Sequence, residues 1–269
     1  MRILIAILGM LAVAGPLQSQ DVNGDGFVSF LVPIAFPSGR VVPGAFGTRW
    51  ASELWLHNAS TGNFTSLQPA SLCLPSCEIT VPSGYRGRLL WVNSNQNSAM
   101  LHVPAEHADR MFLSARLLEL SRQSQPTGVE VPIIEESDFF VGERWILGVP
   151  IGEGTRAALR VYDPYARADT AVQVDFFAAG TSSGVPGATL GSAVFRPGGD
   201  PLAGYTGLYP TEVPTVAATF HLVVDFPMLA GIEFVDIRLT PLVAGRPYWA
   251  FANVTHNDTQ HVLLVTSQP

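Results

Sequence analysis

Residues 112–120 of this chain, Phe-Leu-Ser-Ala-Arg-Leu-Leu-Glu-Leu, align without a gap with residues 234–242, Phe-Val-Asp-Ile-Arg-Leu-Thr-Pro-Leu, and Gly47-Thr48-Arg49 returns as Gly154-Thr155-Arg156. A chain that repeats itself at such a distance predicts two copies of one unit rather than a single large core. Each copy opens alike. Val32-Pro33-Ile34, Gly47-Thr48-Arg49 and Leu54 to Asn58 correspond to Val149-Pro150-Ile151, Gly154-Thr155-Arg156 and Leu159 to Asp163. The offset grows from Gly47/Gly154 to Phe112/Phe234, so the second copy carries extra residues, which the Gly- and Pro-rich stretch 178–215 accommodates as long loops.

Between clusters of Gly, Pro, Asn and Ser lie short apolar stretches rich in Val, Phe, Trp and Tyr, including 27–36, 53–57, 100–103, 111–120, 144–151, 158–162, 171–177, 219–226, 232–240, 248–255 and 262–266. Many alternate apolar with polar, as Val235-Asp236-Ile237-Arg238-Leu239 does, which is the pattern of a strand with one buried face. Residues 111–120 alone could be read as a helix. Their likeness to 234–242, where Pro241 is hostile to a helix interior, makes both segments strands. With 21 prolines and 25 glycines, the expected fold is all-β: two tandem immunoglobulin-like β-sandwich domains, 27–140 and 141–269, after a cleaved signal peptide at 1–20. The boundary falls near 139–144 with a short linker, so the two domains pack as a semi-rigid pair. Residues 250–266 read as a hairpin that closes the second sheet.

The leader rests on Arg2 followed by the apolar run 3–14, which is too short to span a membrane, with small-residue cleavage sites at Ala12-Val13-Ala14 and Leu17-Gln18-Ser19. Secretion or a periplasmic location follows, with no membrane insertion after cleavage. Only 14% of residues are charged, every basic residue is arginine, and the net charge is −7. The absence of a basic stripe speaks against nucleic acid as a partner. Cys73 and Cys77, the only cysteines, most simply close a small loop as a disulfide in an exported chain, and further zinc ligands are not nearby.

Several motifs could carry chemistry. Asp21, Asn23 and Asp25 place oxygen ligands at alternate positions like the first half of a calcium loop, but Val32 stands where a bidentate carboxylate is needed, so only weak calcium binding is compatible with them. Gly180-Thr181-Ser182-Ser183-Gly184 satisfies Gly-x-Ser-x-Gly. A nucleophile elbow must lead into a helix, and Val185-Pro186-Gly187 cannot easily form one, which leaves a serine hydrolase centred on Ser182, with Asp225 or Asp236 and His256 or His261, as a minor alternative. His256 and His261 flank the terminal turn with Asp258. His102, Glu106 and His107 lack the helical frame of a zinc site. Asn58, Asn63, Asn253 and Asn257 head sequons better explained by the turn propensity of Asn. Among Trp50, Trp55, Trp91, Trp145 and Trp249, two exposed on one face would make a sugar platform, and the odd separation of Trp50 and Trp55 prevents those two from sharing a strand face.

Residues Val131-Pro132-Ile133, Glu135 to Phe139, Leu159 to Pro164 and Asn257 to Val262 resemble segments of uncharacterised exported proteins of GC-rich bacteria with tandem immunoglobulin-like sandwiches. The resemblance implies export and a β-sandwich architecture, and no reaction, cofactor or catalytic residue. The functional expectation is a non-enzymatic binding or structural module at or beyond the cell surface, its partner a protein or polysaccharide, with self-association possible. A carbohydrate-binding accessory module is the alternative.

Overall fold

The computed structural model describes residues 20–22, 24, 26–36, 39–67, 78–89, 98–121, 127–163, 170–180, 187–196 and 216–267. The leader up to residue 19, Cys73, Cys77, Trp91 and Ser182 lie outside the described residues, as do Asn23 and Asp25. Among the described residues no helix is long and apolar enough to cross a membrane.

The first part of the chain forms β1 (Phe27–Val32), β2 (Val42–Pro43), β3 (Arg49–Asn58), β4 (Phe64–Leu67), β5 (Glu78–Val81), β6 (Arg86–Arg88), β7 (Ala99–Pro104), the short α1 (Ala105–Ala108), β8 (Met111–Glu119), β9 (Thr127–Val131) and β10 (Ile134–Glu135). The remainder forms β11 (Arg144–Pro150), β12 (Thr155–Asp163), β13 (Val172–Ala178), β14 (Thr189–Phe195), β15 (Val216–His221), α2 (Leu222–Asp225), β16 (Phe234–Pro241), β17 (Trp249–His256) and β18 (Val262–Thr266). The protein is all-β, and its ladders are antiparallel.

Four sheets result. Their orders are β10-β1-β7-β4-β5 and β2-β3-β8-β9, with β6 also on β3, then β11-β16-β13-β14 and β15-β12-β17-β18. Read by position, the second pair repeats the first: β11, β12, β13 and β14 stand where β1, β3, β4 and β5 do, and β15 to β18 stand where β6 to β9 do. The paired openings of the chain occupy matching places, since Gly47 (φ +74°) and Gly154 (φ +87°) each turn the backbone into β3 or β12 through a conformation that a side chain resists. The longer likeness does not. Residues 112–120 lie in β8 and residues 234–242 run along β16, yet β8 is matched in position by β17, and β16 by β7. Those nine residues share a strand pattern, not a place in the sheet.

The strand order departs from the immunoglobulin expectation. In that fold the first, second, fourth and fifth strands share a sheet and the third, sixth and seventh form the other. Here the first joins the third, fourth and sixth (β11 with β13, β14 and β16), and the seventh, β17, pairs with β12. Alternation makes a strand, but long-range packing chooses its neighbour.

Inward residues of each pair of sheets meet in one core. Leu54, Leu56, Ala115 and Leu117 from one sheet pack with Val28, Phe30, Leu101 and Val103 from the other. In the second pair Leu159, Val161, Ala252 and Val254 meet Ile146, Val174, Phe176, Val235, Ile237 and Leu239. The two cores are not insulated, because Tyr162, Trp249 and Phe251 of the second pair belong to the first core. The Tyr162 hydroxyl donates to the Pro33 carbonyl, and Phe140 and Tyr248 exchange backbone hydrogen bonds across the junction at 2.7 and 2.9 Å. Phe46 lies over the Arg156 guanidinium at 4.8 Å.

Two local expectations are corrected. The stretch 178–215 holds β14, whose residues pair along β13 from Val172↔Phe195 to Phe177↔Thr189. The segment 219–226 leaves its strand at His221 and turns through α2, where Leu222 and Phe226 drop into the core. Its apolar residues satisfy a helical turn as readily as a strand, and only their burial distinguishes the two.

Candidate functional site

Strand β3 alternates strictly over its last residues: Leu54 and Leu56 point into the core, while Glu53, Trp55 and His57 fall on the opposite face. Its neighbour β8 does the same, with Ala115 and Leu117 inward and Phe112, Ser114 and Arg116 outward. The register sets His57 beside Phe112, Trp55 beside Ser114 and Glu53 beside Arg116. On the other side, β6 places Arg86 beside His57 and Arg88 beside Trp55. Three strands thus bring an indole, an imidazole, a phenyl ring, three guanidiniums and the Glu53 carboxylate to one outer face.

The rings are exposed, Trp55 by 45% and Phe112 by 60%. His57 stacks on Phe112 with centroids 5.7 Å apart and planes 26° from parallel. Glu53 organises the neighbouring row. One of its oxygens receives the Trp55 Nε1–H (3.4 Å), and the other is 3.1 Å from Nη2 of Arg88. A single carboxylate therefore ties the indole and the guanidinium to each other.

The other tryptophans sit differently. Trp50 is partly buried against the first core, as its even spacing from Leu54 and Leu56 requires, and Trp249 is buried. Trp145 forms a second aromatic row on β11, β16 and β13, where Arg238 lies 5.7 Å from its ring and 5.3 Å from that of Phe177. There Nε and Nη2 of Arg238 both donate to Asp175 Oδ2, at 3.1 and 2.7 Å, and Phe177 is buried.

The remaining candidates are dispersed. Asp21 accepts hydrogen bonds from the amides of Gly24 (2.7 Å) and Gly26 (2.8 Å), and the adjoining backbone is tied down by Gln20 N donating to Glu135 Oε1 and Val22 N to Glu136 Oε1, not free in solvent. Asp236 accepts from the amides of Gly148 and Gly180, and Asp225 from the amide of His221. His256 and His261 are exposed at the β17–β18 turn, joined through their backbones at 3.0 Å. His102 shares a hydrogen bond with the Ser29 hydroxyl, and His107 lies 3.5 Å from Glu106. Among the described residues no group of three or more His, Cys, Asp or Glu side chains is placed to hold a metal ion. The sequon asparagines work inside the fold: Asn63 accepts from Ser83 N, Asn253 from Arg160 and Asn257 from Arg156.

Sequence reasoning singled out Trp55 but missed His57, Phe112, Arg86 and Arg88 as its companions. The available signal was an aromatic on the otherwise polar side of an alternating strand, in Phe112-x-Ser114-x-Arg116. No family model, curated protein or solved structure matches this chain.

Proposed function

We propose that this chain is an exported, non-enzymatic binding module of two tandem β-sandwich domains, 27–140 and 141–269, and that the outer face of β6, β3 and β8 takes a polysaccharide at or beyond the cell surface. The observation that carries the reading is the pairing of exposed Trp55 with the stacked His57 and Phe112 on one sheet face. A pyranose ring offers an apolar C–H face and a rim of hydroxyls. Flat aromatic rings match the face through dispersion and their negative π clouds, while Glu53, Ser114 and the arginines supply donors and acceptors for the rim. The apolar run after Arg2 supports export, and the matching strand orders of the two sheet pairs support duplication of one unit.

Titration of soluble polysaccharides against tryptophan fluorescence and isothermal calorimetry tests this. Binding is expected to shift the emission and to fall at least about tenfold in Trp55→Ala and in Phe112→Ala, the loss of a stacked ring costing on the order of 1.4 kcal/mol or more. Equal affinity in both variants, or no polysaccharide bound, would overturn the assignment. A concentration-dependent dimer that Trp55→Ala dissolves would instead make this face a contact between copies of the chain.

A further inference from the structure

We infer that the polysaccharide bound on this face carries carboxylate groups, as a uronate-containing polymer does. The inference rests on the polysaccharide reading and deepens it. The two rows that hold the rings are Arg86–His57–Phe112 and Arg88–Trp55–Ser114. Arg86 and Arg88 are both exposed, and Arg88 is ion-paired with Glu53 at 3.1 Å. Carboxylates appear one row further on, where Glu53 and Glu130 flank Arg116. Three guanidiniums, Arg86, Arg88 and Arg116, therefore stand with two carboxylates on this face, a positive excess on a chain whose net charge is −7. An anionic polymer is repelled by the protein as a whole and attracted here, which gives the ligand one place to settle and one orientation.

The geometry suits a carboxylate in particular. Arg88 is anchored by Glu53 at 3.1 Å while 41% of its side chain remains exposed, and the register sets it beside Trp55. A guanidinium held in this way can grip a carboxylate through two parallel hydrogen bonds, and less of its rotamer freedom is lost on binding. Arg86 repeats the guanidinium beside the second ring pair.

The test compares alginate, polygalacturonate and hyaluronate with their carboxyl-reduced forms, which keep a sugar backbone and lose the charge, and with polyglutamate, which keeps carboxylates and lacks sugar rings. At least one uronate polymer is expected to bind, with a loss of about tenfold on carboxyl reduction and a comparable loss in Arg86→Gln/Arg88→Gln. The same double variant should lose less affinity for a reduced polymer than for the acidic one, and its melting temperature should be unchanged. Affinity should fall between about 0.05 and 0.5 M salt as the charges are screened. If reduced polymers bind as well as the acidic ones, or the double variant keeps its preference for the acidic form, the inference fails and the polysaccharide reading stands. If polyglutamate binds as tightly as the uronates, the face recognises a polyanion and the sugar reading fails with it. Failure of every polymer to bind removes both.

Discussion

Asn58 closes the turn between β3 and β4 almost alone. Its Nδ2 donates to the carbonyls of Gly62, Val81 and Pro82 at 3.0 to 3.2 Å, and its Oδ1 accepts from both the amide and the hydroxyl of Ser60. Buried polar groups left without such partners cost on the order of 1–3 kcal/mol each, so Asn58→Ala is expected to lower stability by about 3 kcal/mol in urea unfolding, whatever its sequon suggests about glycans. Tyr162 makes a pH-dependent contribution. Burial pushes its phenol up to about 12 from the usual value near 10. Because the folded pKa lies above the unfolded one, the native state holds the proton longer. Stability is therefore complete below about pH 10 and is lost as pH rises toward 12, by about 3 kcal/mol at the top of that window. Denaturation curves of the parent should show this loss, and those of Tyr162→Phe should lack most of it. Tyr248, also shifted upward by burial, adds a decline of the same sign to both proteins.

At the scale of a strand, β3 sorts its residues by function through nothing more than its period of two. Leu56 is buried in the first core and Trp55, its neighbour, is 45% exposed. Truncation should separate them. Leu56→Ala is expected to cost about 3 kcal/mol through lost burial and a residual cavity, whereas Trp55→Ala should change stability by no more than about 0.5 kcal/mol, both read from urea midpoints. A large loss in Trp55→Ala would mean that the indole supports the fold and would weaken its assignment to ligand binding. Much of this was legible beforehand, since the segments of β3, β11, β16 and β17 read as strands from their own residues and that of β8 from its likeness to 234–242. The companions of Trp55 were not, because register between β3, β6 and β8 is set by side chains 29 to 69 positions apart and no local pattern encodes it. The same limit explains β14 and α2: short apolar runs fit more than one backbone, and the core selects among them.

For the molecule as a whole, the junction is the decisive feature. Tyr162, Trp249 and Phe251 rise from β12 and β17, and the Tyr162 ring lies 5.9 Å from Trp249 and 6.1 Å from Phe251 within the core of the first sheet pair. Apolar area shared in this way couples the two halves. Scanning calorimetry is expected to show one transition in the intact protein. Trp249→Ala, costing about 3–5 kcal/mol, should lower the melting of both halves together. Two separated transitions, with only the second moved by the substitution, would show the halves to be independent.

What the sequence determined by itself was local: alternation of apolar and polar residues made the strands, and glycines at 47 and 154, whose φ values of +74° and +87° admit no ordinary side chain without strain, marked where β3 and β12 begin. Which strand lies beside which was decided only by tertiary structure. The likeness of residues 112–120 to 234–242 shows why. Both segments satisfy the same two-residue period, yet β8 pairs with β3 and β9 while β16 pairs with β11 and β13, because a strand's neighbours are chosen by the fit of its buried face to distant side chains. The candidate site follows the same division, each ring readable as an outward residue of its own strand and the platform existing only once three strands are in register.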